Sequence, residues 1–147
     1  STLDRSSAAS DVYKRQHSSV ETFGDNTLVC MDTKEFRWYK KHDFPVMAFS
    51  PQAKGFFAKL AKGDAANNLP EGQYAGPANL ARLAKVKQLS EQTGDTPAKI
   101  TLGYLNSQPF FVSSVFAVTK LWQLDEDMEA QDLTYDPKTV AFLENMI

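Results

Sequence analysis

The stretch Pro45-Val46-Met47-Ala48-Phe49-Ser50-Pro51-Gln52-Ala53-Lys54-Gly55-Phe56-Phe57 decides the fold class. Its first five residues form an unbroken apolar run, the pattern of a strand buried on both faces of a parallel sheet. At Ser50 the character changes within one residue. Ser50-Pro51 imposes an extended turn, Lys54 brings a cation, and Gly55 tolerates tight or left-handed backbone. Folds with parallel strands bind ligands just beyond the carboxyl ends of those strands, where loops leave the sheet. A hydroxyl, a lysine and a glycine clustered there suit a phosphate group. A strand that ends in a polar turn accounts for the same residues equally well.

Upstream, Asp32 and Glu35 make a box-like start for a helix that carries Phe36, Trp38 and Tyr39 and closes at His42-Asp43. Trp38 and Tyr39 read as packing between helix and sheet rather than as a stacking surface for a ligand. Downstream, Phe56 to Ala61 allows one or two helical turns. Residues 62–77, KGDAANNLPEGQYAGP, then show no period, which is the composition of a lid or binding loop. Asn79 is the expected cap of the next helix, with Leu80, Leu83, Val86 and Leu89 as its inner stripe and Gly94 as its stop. Arg82, Lys85 and Lys87 fall between those positions and read as a solvated face.

Thr96 as cap and Pro97 at the first helical position open a further helix, with Ala98, Leu102 and Leu105 facing inward and Ile100 and Tyr104 beside them. A second apolar strand is expected within Phe110–Val118, again covered on both faces. Thr119 is then the expected cap of a helix with Leu121, Leu124 and Met128 as its inner stripe. Lys120 opposes the dipole at the start of that helix unless an anion sits there too. Asp136 and Pro137 begin a last helix whose apolar face is Val140, Leu143, Met146 and Ile147. Strands that alternate with helices in this order make a parallel α/β protein.

Composition narrows the function. The 147 residues suit one domain of ordinary size, and 42% hydrophobic with 23% charged residues describes a soluble globular chain. A net charge of −2 offers no general attraction to nucleic acid or anionic lipid. No apolar run is long enough to span a bilayer, so no membrane partner is expected and a cytoplasmic setting fits. Cys30 is the single cysteine, which rules out an internal disulfide and a cysteine-rich zinc site and reads as a small buried hydrophobe. His17 and His42 lack the spacing of a metal pair, so no metal is expected. Residues 1–16, STLDRSSAASDVYKRQ, are polar and aperiodic. They are expected to be a non-native or disordered tail, since SSAASDVYKRQ resembles translated adaptor sequence, and residues 17–147 then form the domain.

The stretch PVMAFSPQAKGFF resembles the seventh-strand segment of aldo-keto reductases, where an aromatic-Ser-Pro-x-x-x-Gly run leaves the barrel. The run FFVSSVFAVTKLWQLDEDMEAQDLTYDPKTVAFLENM resembles the eighth strand and closing helices of the same family. The resemblance implies the C-terminal part of a (β/α)8 TIM barrel, a fold of about 250 residues, and hence a fragment. It implies an NADP-dependent oxidoreductase that reduces aldehydes or ketones by hydride transfer from NADPH, with NAD as the less common cofactor. The expected partner is a small carbonyl substrate.

By the same resemblance, Phe49 stands where the family sets an aromatic ring against the nicotinamide. Ser50, Gln52, Lys54 and Gly55 stand where its loop wraps the pyrophosphate. The family's Gly-x-Arg-Ser/Thr-x-x-Gln-x-x-Glu-Asn pattern, which grips the 2′-phosphate and adenine, reads here as Ala117 through Asp127. Gln123 and Glu126 match, Thr119 replaces the arginine, and Asp127 replaces the asparagine. Lys120 offers a positive charge one residue later, as a point charge rather than a bidentate fork. The family's catalytic Asp, Tyr, Lys and His belong to the other half of the barrel, so no catalytic residue is assigned and this stretch alone is expected to be inactive. A non-catalytic nucleotide-binding or regulatory barrel is the alternative.

Overall fold

The structure, a computed structural model, describes residues 33–63 and 77–144. The expected cap Asp32, the loop 64–76 and the terminal Met146-Ile147 therefore lie outside the described residues. Helix α1 spans Thr33–His42, with Glu35 in its first turn and Lys40 and Lys41 in its last, each charge favourable to the helix dipole. Phe36 is buried and meets Phe110 edge-on with ring centroids 5.4 Å apart, while Tyr39 packs beside them. Trp38 instead lies in solvent, stacked on His42 at 4.5 Å.

Strand β1, Val46–Phe49, pairs in parallel with β2, Val112–Val115, in the register Val46 with Val112 and Phe49 with Val115. Between them run α2 (Phe56–Ala61), α3 (Pro77–Thr93) and α4 (Pro97–Asn106). After β2 come α5 (Leu121–Glu129) and α6 (Pro137–Glu144). The parallel α/β arrangement agrees with the sequence reading. The barrel does not appear, because the sheet of the described residues has two strands.

Burial on both faces does not hold either. Val46 and Ala48 are buried beneath the helices, yet Met47 and Phe49 on the other face are more than half exposed. Phe111 is 69% exposed and Val115 also faces solvent. A continuous apolar run needs two covering layers, and the described residues supply one.

The core gathers Phe56, Phe57, Val86, Leu89, Ile100, Tyr104, Leu105, Phe110 and Leu143 around the covered face. Helix α4 is its centre. Residues 98 and 100–105 are all buried, so this helix touches neighbours on every side. Its start is as expected, with Thr96 Oγ1 accepting from the Lys99 N–H and Pro97 at the first turn.

Helix α3 departs from expectation. It begins at Pro77, so Asn79 lies inside it and is buried rather than serving as the cap. Its inner stripe is Asn79, Arg82, Val86 and Leu89, a regular 3-4-3 spacing one residue out of phase with Leu80, which is exposed. Arg82 is not solvated but only 3% exposed, donating to Asn79 Oδ1 at 3.2 Å. Lys85 Nζ donates to the Phe142 carbonyl at 2.8 Å and lies over the same ring, which ties α3 to α6.

Helix α5 also turns differently. Leu121, Leu124 and Met128 are exposed, and Asp127 with Ala130 face the interior. Helix α6 starts as read, with Asp136 accepting from the N–H groups of Lys138 and Thr139, and Leu143 is buried.

Candidate functional site

Both strands end at one cavity. Phe49 and Val115, the paired last residues of β1 and β2, line a space of about 540 Å³, within the range of about 300–1,000 Å³ common for small-molecule sites. One wall is the turn that leaves β1. Here the chain passes through Ser50 (φ 54°), Ala53 (φ 49°), Lys54 (φ 56°) and Gly55 (φ 77°) before α2 begins. Only Gly55 takes this conformation without steric cost. The sequence marks Gly55 alone as left-handed, yet three further positions share that geometry, including Ser50, which Pro51 should hold extended. Backbone kept in such a state is found where surrounding structure fixes a ligand-binding turn. Within it, the Ala53 N–H donates to Ser50 O and the Gly55 N–H to Gln52 O, each at 2.9 Å.

The opposite wall is the segment Phe116–Thr119 and the first turns of α5. Lys120 is the N-cap residue of α5, in extended backbone, and the expected cap Thr119 precedes it. Gln123 organises this turn. Its Oε1 accepts from the N–H of Thr119 at 3.0 Å, the hydroxyl of Thr119 at 3.1 Å and the N–H of Lys120 at 2.9 Å. Gln123 therefore lines the cavity while its carbonyl oxygen holds the turn.

A side-chain hydrogen bond joins the two walls. Gln52 Nε2 donates to Asp127 Oδ1 at 2.5 Å, joining residues 75 positions apart. Asp127 is 3% exposed, and its Oδ2 has no hydrogen-bond partner among the described residues. Burial pushes the carboxyl above its ordinary range, against the lowering effect of the Gln52 amide, and Glu126 next to it raises it further.

Eight of the nine residues singled out from sequence thus line one cavity: Phe49, Ser50, Gln52, Lys54, Gly55, Thr119, Gln123 and Asp127. Lys120 does not; it is exposed and is not among the lining residues. The reading missed Lys59, Lys62, Thr101 and Trp122, which line the same space. Lys59 and Lys62 sit three residues apart in and just beyond α2, and that spacing after the turn was the available signal. Lys59 Nζ donates to the Lys54 carbonyl at 3.1 Å. Lysines 54, 59 and 62, the buried acceptor of Asp127 and the rings of Phe49 and Trp122 together suit an extended ligand with anionic and aromatic parts.

The model of the aldo/keto reductase family matches residues 30–147. The chain belongs to the aldo/keto reductase family. At family level it is an oxidoreductase, and its α/β content with a small parallel sheet agrees with part of an aldo/keto reductase domain. The cavity lies where such parallel α/β proteins bind ligands, beyond the carboxyl ends of the strands. Among the described residues, no tyrosine or histidine lines it. Among the described residues, no group of three or more His, Cys, Asp or Glu is placed to hold a metal ion. No helix among them is long and apolar enough to cross a membrane.

Proposed function

We propose that this protein reduces aldehydes or ketones with a nicotinamide dinucleotide such as NADPH, and that the cavity between the two strand ends holds part of that cofactor. One observation carries the reading: the Gln52–Asp127 contact makes two distant family motifs into facing walls of one cavity. Residue chemistry fits the group. Phe49 offers a ring surface for the nicotinamide, and Lys54 with the Ser50–Gly55 turn offers cationic and backbone contacts for the pyrophosphate. The orphan Asp127 Oδ2 fits an exocyclic amine, because a buried acceptor without a donor is costly until a ligand N–H supplies one.

Bound there, the dinucleotide supplies the hydride that reduces the carbonyl. The chain's own residues bind and orient it. The alcohol is completed by a proton from a general acid, and the titratable groups of the described lining are Lys54, Lys59, Lys62, Glu126 and Asp127. By the family resemblance no catalytic residue falls in this stretch, and the second reading is therefore a nucleotide-binding module without turnover.

Cofactor titration by fluorescence, followed by NADPH consumption over a panel of aldehydes and ketones, separates the two. Lys54→Ala should weaken NADPH binding by about 1–3 kcal/mol, the scale of a charge-assisted hydrogen bond. Unchanged affinity in that variant removes Lys54 from the cofactor site. Binding without consumption by the full-length protein selects the second reading.

A further inference from the structure

Lys62 and Trp122 face each other across the cavity. Lys62 follows the last turn of α2, on the wall built after β1, and Trp122 is the second residue of α5, on the wall built after β2. The Lys62 ammonium lies 5.0 Å from the centroid of the Trp122 ring, although the residues are far apart in sequence. Among the described residues Lys62 has no carboxylate partner, and the indole stands 52% exposed. A tryptophan left half in solvent, lining a cavity and capped by a lysine from the facing wall, is an unspent binding surface.

We propose that Lys62 and Trp122 form a ligand-exchanged clasp at this cavity. In the free protein the ammonium rests on the indole. When a nucleotide enters, its phosphate draws the ammonium away, and the ring face so uncovered stacks on the aromatic part of the ligand. The direction of exchange follows from relative strengths. An exposed cation–π contact is weaker than a charge-assisted hydrogen bond to phosphate, and base stacking on an aromatic ring adds to it. The ligand class is therefore an aromatic phosphate. This inference rests on the dinucleotide reading of the site and adds to it two residues that the family motifs do not mark.

The experiment labels the protein with 5-fluorotryptophan and assigns the Trp122 fluorine resonance by its loss in Trp122→Phe. Lys62→Met, which keeps the length and removes the charge, should shift that resonance in the ligand-free protein. NADPH should move the wild-type resonance, and calorimetry should show about tenfold weaker NADPH binding in Lys62→Met, largely restored in Lys62→Arg. Trp122→Leu should weaken NADPH binding while inorganic pyrophosphate binds as tightly as to wild type or tighter, because the ammonium no longer has a ring to leave. If wild-type protein binds NADPH but the resonance stays still and Lys62→Met binds as tightly, the clasp is wrong and the cofactor reading stands. If wild-type protein does not bind NADPH, both fall together.

Discussion

Gly103 is the position where one added methyl group should do the most damage. It lies in the middle of α4, where its face meets the segment between α5 and α6. A Cβ built there would stand 2.8 Å from Cε2 of Tyr135, 2.9 Å from Cγ of Leu133 and 3.0 Å from Cδ2 of Leu133. Those atoms are held in place. Asn106 Nδ2 donates to the carbonyls of Ala130, Gln131 and Leu133. The Tyr135 N–H donates to Ser107 Oγ at 2.6 Å, and its hydroxyl donates to Asp95 at 3.1 Å. Burial pushes the Tyr135 phenol well above its ordinary pKa, so it stays a donor across the working range.

Replacing Gly by Ala in a helix gains about 1 kcal/mol of propensity. Overpacking costs about 1–3 kcal/mol, and each hydrogen bond lost as Tyr135 moves costs about 1 kcal/mol more. Gly103→Ala should therefore destabilise by about 1–3 kcal/mol net. Urea unfolding followed by circular dichroism reads this directly. In the Gly103→Ala background, Leu133→Ala should cost less than it does alone, because it opens the space the methyl needs. A Gly103→Ala protein as stable as its parent would refute the close approach and with it the packing of α4.

Asp127→Asn should raise stability at neutral pH, and the gain should shrink as pH falls. Burial lifts this carboxyl above its ordinary value, so stability at the site is greatest below that value and is lost as pH rises through the folded-state pKa. Melting curves from pH 4 to 8 decide it; a gain that grows toward acid contradicts the assignment. Lys120→Ala should leave NADPH and NADH binding within a factor of about two of wild type, because this lysine stands off the cavity lining. A selective loss of NADPH affinity would return Lys120 to the 2′-phosphate. The 147-residue chain should self-associate, since Met47, Phe49, Phe111 and Val115 leave one face of the sheet uncovered among the described residues. Light scattering that reports a monomer with a sharp melt overturns that expectation.

Local chemistry made several elements legible from sequence alone. The apolar run 45–49, the Thr96-Pro97 start of α4, the Asp136-Pro137 start of α6 and the stop at Gly94 each depend on neighbours within one turn. Turn residues and caps act over a few positions, so the chain states them directly. The family motifs likewise named eight residues that share one cavity.

What the sequence left open was orientation. Helix stripes were misread where a polar residue sits on the buried side: Asn79 and Arg82 pair with each other inside α3, and Asp127 pairs with Gln52 inside the site. A buried polar group is tolerated when a distant partner satisfies it, and that partner is invisible to periodicity. The same holds for the left-handed Ser50, Ala53 and Lys54, whose backbone cost only the surrounding fold can offset. Local sequence determined where the elements begin and end. The tertiary structure decided which faces they turn inward, because that choice depends on contacts such as Gln52 with Asp127 and Lys62 with Trp122, formed only when the walls meet.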